Sequence, residues 1–164
     1  MKLKGVLVIF VILLAYWLIL NNSVSPAVLV SGGIIALAIA IGFCRECPVF
    51  NELNLTPRAF LYTLIYLVVF LGELIKANLD MASKVLSPSL PINPGIIRAR
   101  TTLKSRMARL ILANSITLTP GTFTIDIRGD ELYIHCVNIN GEDAEAYGSR
   151  IIRKFEKYLE VIYG

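Results

Sequence analysis

Few residues in this chain combine the types and spacing that chemistry needs. Glu73 and Lys76 stand three residues apart near the end of an apolar stretch. Ionisable groups at membrane depth are by default candidates for a proton or cation path; the competing assignment is a pair at the headgroup boundary, with Lys76 snorkelling outward. Cys44 and Cys47 form one C-x-x-C beside Pro48. A structural zinc takes about four ligands, and neither a second pair nor a nearby histidine accompanies them, so no metal is expected; a disulfide and two free thiols both stay open. His135 is the one histidine. No nucleophile or ligand cluster goes with it, so a packed or hydrogen-bonded ring is expected. Cys136 reads as a small apolar residue, and Arg128-Gly129-Asp130 as a polar hairpin turn. No phosphate-binding glycine loop, nucleophile triad or haem motif is found, so neither a catalytic residue nor a cofactor is expected.

The remaining unusual stretch is "LANSITLTPGTFTIDI", residues 112–127. Clustered hydroxyls favour caps and turns. Asn114 and Ser115 are expected to satisfy carbonyls at a helix end, and Pro120-Gly121 to turn the chain into a strand. On that reading the stretch is a joint or a subunit contact, not an ion site.

The elements that position these residues differ sharply along the chain. The 164 residues are 55% hydrophobic with a mean hydropathy of +0.67. Residues 1–75 carry only seven charges, Lys2, Lys4, Arg45, Glu46, Glu52, Arg58 and Glu73. Three apolar runs fill that half, at about residues 5–20, 26–43 and 57–76, each near the lower limit of about 17 residues for a bilayer-spanning helix. Tyr16, Trp17, Tyr62 and Tyr66 stand toward the run ends, where amphipathic rings favour the interface. The first run resembles a signal peptide, with Lys2 and Lys4 ahead of it and Ser23-Val24-Ser25 at cleavage spacing. Its long apolar core, the Pro26 that would follow the cut and the immediate second run argue for a retained span. The first two runs then make a hairpin about Asn21–Pro26. Ser31, Gly32 and Gly33 supply a small-residue face for helix packing.

Residues 1–86 are thus expected to hold the transmembrane helices, 87–94 a stiff linker with Pro88, Pro91 and Pro94, and 95–164 a water-facing domain. That domain reads as strand, helix, strand, strand, helix: Gly95–Thr101, Thr102–Asn114, a hairpin in which Phe123, Ile125 and Ile127 and then Leu132, Ile134 and Cys136 alternate with polar residues, and a helix over about 142–163 with Asn140 as its N-cap. The fold class is a membrane protein of about three short spans followed by a small α+β domain. Lys76, Lys84, Arg98, Arg100, Lys104, Arg106 and Arg109 follow the third run against Asp80 alone, so the domain is expected in the cytoplasm. Three crossings leave the N-terminus outside, despite Lys2 and Lys4. The basic stretch 98–109 lacks interleaved aromatic residues for base stacking, so no nucleic acid is expected; the bilayer's anionic headgroups account for it better.

"LANSITLTPGTFTIDIRGDELYIHCVNI", residues 112–139, resembles the signature of the E-type subunit of the multisubunit Mrp-type Na+/H+ antiporters. The matching positions are Asn114, Ser115, Thr117, Thr119, Pro120, Gly121, Thr122 and His135, and short spans before a cytoplasmic domain fit the family over nearly the whole chain. The same subunit type occurs in archaeal membrane-bound hydrogenases and sulfane-sulfur reductases. The resemblance implies a non-catalytic structural subunit of a cation/proton antiporter in the plasma membrane, with other membrane subunits as partners, or the same subunit in a redox-driven assembly. It assigns no catalytic residue, and Cys44/Cys47 is not part of its pattern. A stand-alone membrane-anchored sensor is the reading from a different class.

Overall fold

The computed structural model describes residues 3–43, 52–139 and 143–164. Cys44, Cys47 and the expected N-cap Asn140 lie outside them, as do Lys2, Arg45, Glu46 and Glu142. The chain divides into two compact units, Met1–Leu53 and Asn54–Gly164.

The first unit is a helical hairpin of α1 (Leu3–Asn21) and α2 (Pro26–Phe43). Asn22 closes the turn in the left-handed region (φ 46°), which asparagine tolerates better than most residues, and the Asn21 side chain caps the carbonyl of Trp17 at 2.9 Å. Val6, Ile9 and Ala40 pack together with Phe10 and Leu13. At the turn end, Trp17 lies over Gly32 so closely that a Cβ there would sit 2.3 Å from the indole. Gly32 therefore serves the hairpin itself, as small residues do between helices in lipid. Gly33 has open space around its Cα, and the Ser31 hydroxyl turns back to the Val28 carbonyl. Trp17 is thus a packing residue rather than a free interfacial anchor.

The second unit begins with α3 (Pro57–Leu86), a helix of 30 residues. Thr56 caps it by accepting from the Ala59 amide, and Pro57 opens its first turn, where a missing N–H costs nothing. There follow β1 (Gly95–Arg100), α4 (Arg106–Leu118), β2 (Thr122–Arg128), β3 (Glu131–Cys136) and α5 (Ala144–Tyr163). The three strands form an antiparallel sheet in the order β1-β3-β2. Ile97, Ala99, Leu132, Ile134 and Cys136 point from it into a core completed by Ala108, Leu112 and Ile116 of α4 and Ile152, Phe155, Leu159 and Ile162 of α5. Gly148 lets α5 come down on β1: a Cβ there would meet that of Ala99 at 2.7 Å.

Two expectations need correction. The fourth helix starts and ends four residues later than its spacing suggests. Glu156 of α5 accepts from the Thr101 hydroxyl (2.6 Å) and from the amide and hydroxyl of Thr102 (2.6 and 3.1 Å), holding residues 101–102 out of the helix. Ser105 then provides the N-cap. The buried stripe of α4 is Ala108, Leu112, Ala113, Ser115 and Ile116, while Leu110 is exposed. In β2 a bulge between Thr124 and Asp126 breaks the alternation: Thr122 and Thr124 turn toward α4, Phe123 and Ile125 are exposed, and Ile127 stands opposite the buried Leu132.

Candidate functional site

The motif residues work on the backbone. Ser115 is not at a helix end but inside α4, buried, with its hydroxyl donating to the Ile111 carbonyl at 2.7 Å and meeting the Tyr66 hydroxyl of α3. Thr119 closes the helix end, donating to the Ser115 carbonyl at 2.7 Å. Thr122 donates to the carbonyls of Ile116 (2.6 Å) and Thr119 (3.0 Å). Thr124 reaches the Ala113 carbonyl at 3.1 Å, and its own amide donates to the Thr117 hydroxyl at 3.1 Å. Last-turn carbonyls have no partner within the helix, and these hydroxyls supply those of Ser115 and Ile116 while fastening β2 along α4. Gly121 turns the chain at φ +92°, and a Cβ there would also come within 2.8 Å of the Met81 side chain of α3. Pro120-Gly121 is the expected turn. Asn114 is exposed and lies apart from this network.

The two groups of residues singled out in the sequence meet in one pocket of about 210 Å³. Glu73, Lys76 and Asp80 line it from α3, Thr119, Pro120 and Thr122 from the motif, and Tyr147, Ile151, Lys154 and Phe155 from α5. Lys154 is ion-paired to Glu73. Among the described residues Lys76 has no such partner, and Asp80 pairs with Lys84 one turn on. Beyond the pocket, Phe155 packs against both Tyr66 and Phe70, with centroids 6.3 Å apart, and Tyr158 against Tyr62 at 6.4 Å. At the far end the Asn54 side chain caps the Val161 carbonyl at 3.3 Å. Helix α5 therefore lies antiparallel along α3 over its apolar length. Tyr66 is buried in this contact, not held at an interface.

His135 does not join the pocket. It stands in register between Ile96 of β1 and Phe123 of β2 on the open face of the sheet. The same face and its edge carry ion pairs. Arg100 bonds Glu131 at 2.9 Å, which holds the carboxyl below the usual carboxylate range and raises the guanidinium. Arg128 bonds Asp126 at 2.7 Å and lowers it likewise. Cys136, on the inner face, has its thiol pushed up to about 11 by burial. Among the described residues no three His, Cys, Asp or Glu gather as metal ligands do.

Sequence reasoning missed Lys154 and Tyr66 as partners of the singled-out residues. Neither pairing has a local signal, since Glu73 and Lys154 are 81 positions apart and Tyr66 and Ser115 are 49. Among the described residues, pocket and joint together offer two carboxylates already paired with lysines, hydroxyls already spent on carbonyls, and no nucleophile beside a base. That arrangement binds segments of chain to one another.

Residues 10–162 match a family model described as a Na+/H+ ion antiporter subunit. The chain is similar to the E-type subunit of the Na(+)/H(+) antiporter of Bacillus subtilis, with 36% identity over 152 residues, covering 89% of this chain and 90% of the relative. It is also similar to the E1-type antiporter subunit of Staphylococcus haemolyticus, with 34% identity over 144 residues, covering 84% and 85%. A chain in the structure of the membrane-bound sulfane sulfur reductase, an archaeal respiratory membrane complex, shares its fold at a TM-score of 0.84 and 37% identity, covering 98% of this chain and 100% of that one.

Proposed function

The chain belongs to the Na+/H+ ion antiporter subunit family, and on that premise we propose that it is a structural subunit of a multisubunit cation/proton antiporter. It is a membrane protein that carries out no reaction of its own. The observation that carries this reading is the pairing of Glu73 with Lys154. Glu73 is the one carboxylate within the apolar part of α3, and a charge already neutralised by a neighbour from α5 is a clamp rather than a carrier. The hydroxyls of the motif are committed in the same way, to carbonyls of α4. Among the described residues Lys76 is the remaining unpaired charge in the pocket, and the subunit-boundary ion route considered for Glu73 and Lys76 narrows to proton transfer at that amine.

Helices α1 and α2 anchor the chain in the plasma membrane, and the α+β part, Gly95–Gly164, faces the cytoplasm, where its basic residues are favoured. Three crossings with the N-terminus outside require that α3 cross as well. The chain's partners are the other membrane subunits and the bilayer.

A second reading keeps the subunit but places it in a redox-driven complex. The likeness to a chain of the sulfane sulfur reductase, at 37% identity over 98% of this chain, supports it. Purification from native membranes in mild detergent, with mass spectrometry of the accompanying chains, tests both. Large hydrophobic antiporter subunits in fixed ratio are expected. Accompanying nickel or iron–sulfur subunits would move the chain to the redox assembly, and a lone monomer would replace both readings with that of a sensor.

A further inference from the structure

The exposed side of α3 is a broad apolar face that takes in Leu61, Ile65 and Leu67, with Asn78 as the polar residue on it. Along it runs a stripe in which Phe60, Leu64, Val68, Leu71, Ile75 and Leu79 recur every three or four residues, and each is between 47% and 71% exposed. On a helix of 3.6 residues per turn, Arg58, Glu73, Lys76, Asp80 and Lys84 all fall off that stripe. The opposite side is covered from Ala59 to Ala77 by α4, α5 and the turn between α4 and β2. The covering helix is highly charged. Arg150, Arg153, Lys157 and Glu160 of α5 are exposed, next to the same apolar turns of α3 that a bilayer would have to enclose. A crossing by α3 would draw those charges into hydrocarbon, where exposed charges are costly.

We propose that α3 does not cross the membrane, and that its Phe60–Leu79 stripe is a lipid-binding surface lying flat in the cytoplasmic interface. The rest of the second unit takes the place of the polar face that such helices ordinarily carry. The distribution of charge along the chain favours this occupant over a protein partner. With two crossings instead of three, the loop between α1 and α2, Asn21–Pro26, is the only segment outside, and it has no charged residue. Lys2, Lys4, Arg45, Arg58 and all later basic residues then fall on one side, as the positive-inside bias demands. Three crossings split them whichever way the chain is turned. Residues that lie on the cytoplasmic leaflet, the exposed Lys76 beside the stripe among them, also meet anionic headgroups there.

The inference rests on the chain being a membrane subunit and is tested separately from it. The full chain, in the membranes of cells that make its complex, carries one tag before Met1 and another after Gly164. Protease is applied to intact and then to permeabilised spheroplasts. Tags on the same side are expected; tags on opposite sides overturn the inference and leave the antiporter assignment standing. Nitroxides at Leu64→Cys, Leu71→Cys and Leu79→Cys, with Cys44→Ser and Cys47→Ser and the buried Cys136 retained, then report depth. Accessibilities to lipid-dissolved oxygen equal within about two-fold are expected for a stripe in one plane. A depth gradient along the three sites, or shielding of all three from oxygen by a protein neighbour, overturns the lipid contact.

Discussion

Helices α2 and α3 are both long and apolar enough to cross a bilayer by length and composition, yet they are built differently. The apolar residues of α2 go all the way round, Val30, Ile34 and Ile41 exposed on its surface and Ala36 and Ala40 against α1. In α3 they are sorted, with Leu64, Val68 and Leu71 on one side and Tyr66, Phe70 and Glu73 turned to α5. An average over a window scores both alike because it adds hydropathies without directions. On the proposal that α3 lies on the membrane, what separates it from a span is its second face, the one that α5 covers.

The contrast between the two helices should show most strongly at Phe155, which is 2% exposed and touches both Tyr66 and Phe70. Phe155→Ala should cost about 3–5 kcal/mol, as aromatic truncations in cores do. Limited proteolysis should show α3 released from the rest of the unit, whereas α1 and α2 stay protected by lipid. Next come matched charges. Ile35→Arg in the middle of α2 should lower membrane insertion by about 2.5–3.5 kcal/mol in a glycosylation-mapping assay. Val68→Arg in α3 should cost clearly less, because the long side chain can reach water from an interfacial helix. Equal costs would mean that the two helices sit alike.

A smaller effect probes the other side of α3, the apolar core on which it rests. The Cys136 thiol, raised to about 11, is neutral in the folded unit and ionises more readily once unfolded. Its contribution to stability is therefore complete below the ordinary thiol pKa and is lost as pH rises through the folded value. Denaturation followed between pH 8 and 11 should show a decline of roughly 2–3 kcal/mol from this group, absent in Cys136→Ala. At neutral pH the thiol should alkylate only on unfolding.

Much of the second unit could be read directly from its residues. The alternation of Leu132, Ile134 and Cys136 gives the central strand and its buried face, and Ile152, Phe155, Leu159 and Ile162 give the stripe of α5. What could not be read depends on partners distant in sequence. The start of α4 is delayed by Glu156, 55 positions from Thr101. Phe123 and Ile125 yield the inner face of β2 to Thr122 and Thr124, whose hydroxyls bond the Ile116 and Ala113 carbonyls of α4. At the site, the motif's hydroxyls and Pro-Gly pair pointed to backbone bonding and a turn, where Thr119, Thr122 and Gly121 stand. The residue types of Glu73 and Lys154 say nothing of their meeting, since each would be an ordinary helix charge alone.

On this reading the chain braces a complex and moves no ion through its own carboxylate. The decisive experiment replaces the native copy with Glu73→Gln and measures Na+-dependent proton efflux in everted vesicles, alongside the amount of assembled complex. The half-exposed pair with Lys154 contributes about 1 kcal/mol or less to stability, so assembly and antiport are both expected to stay near the native level. Loss of antiport from a complex that still assembles in full would show that Glu73 carries the ion after all.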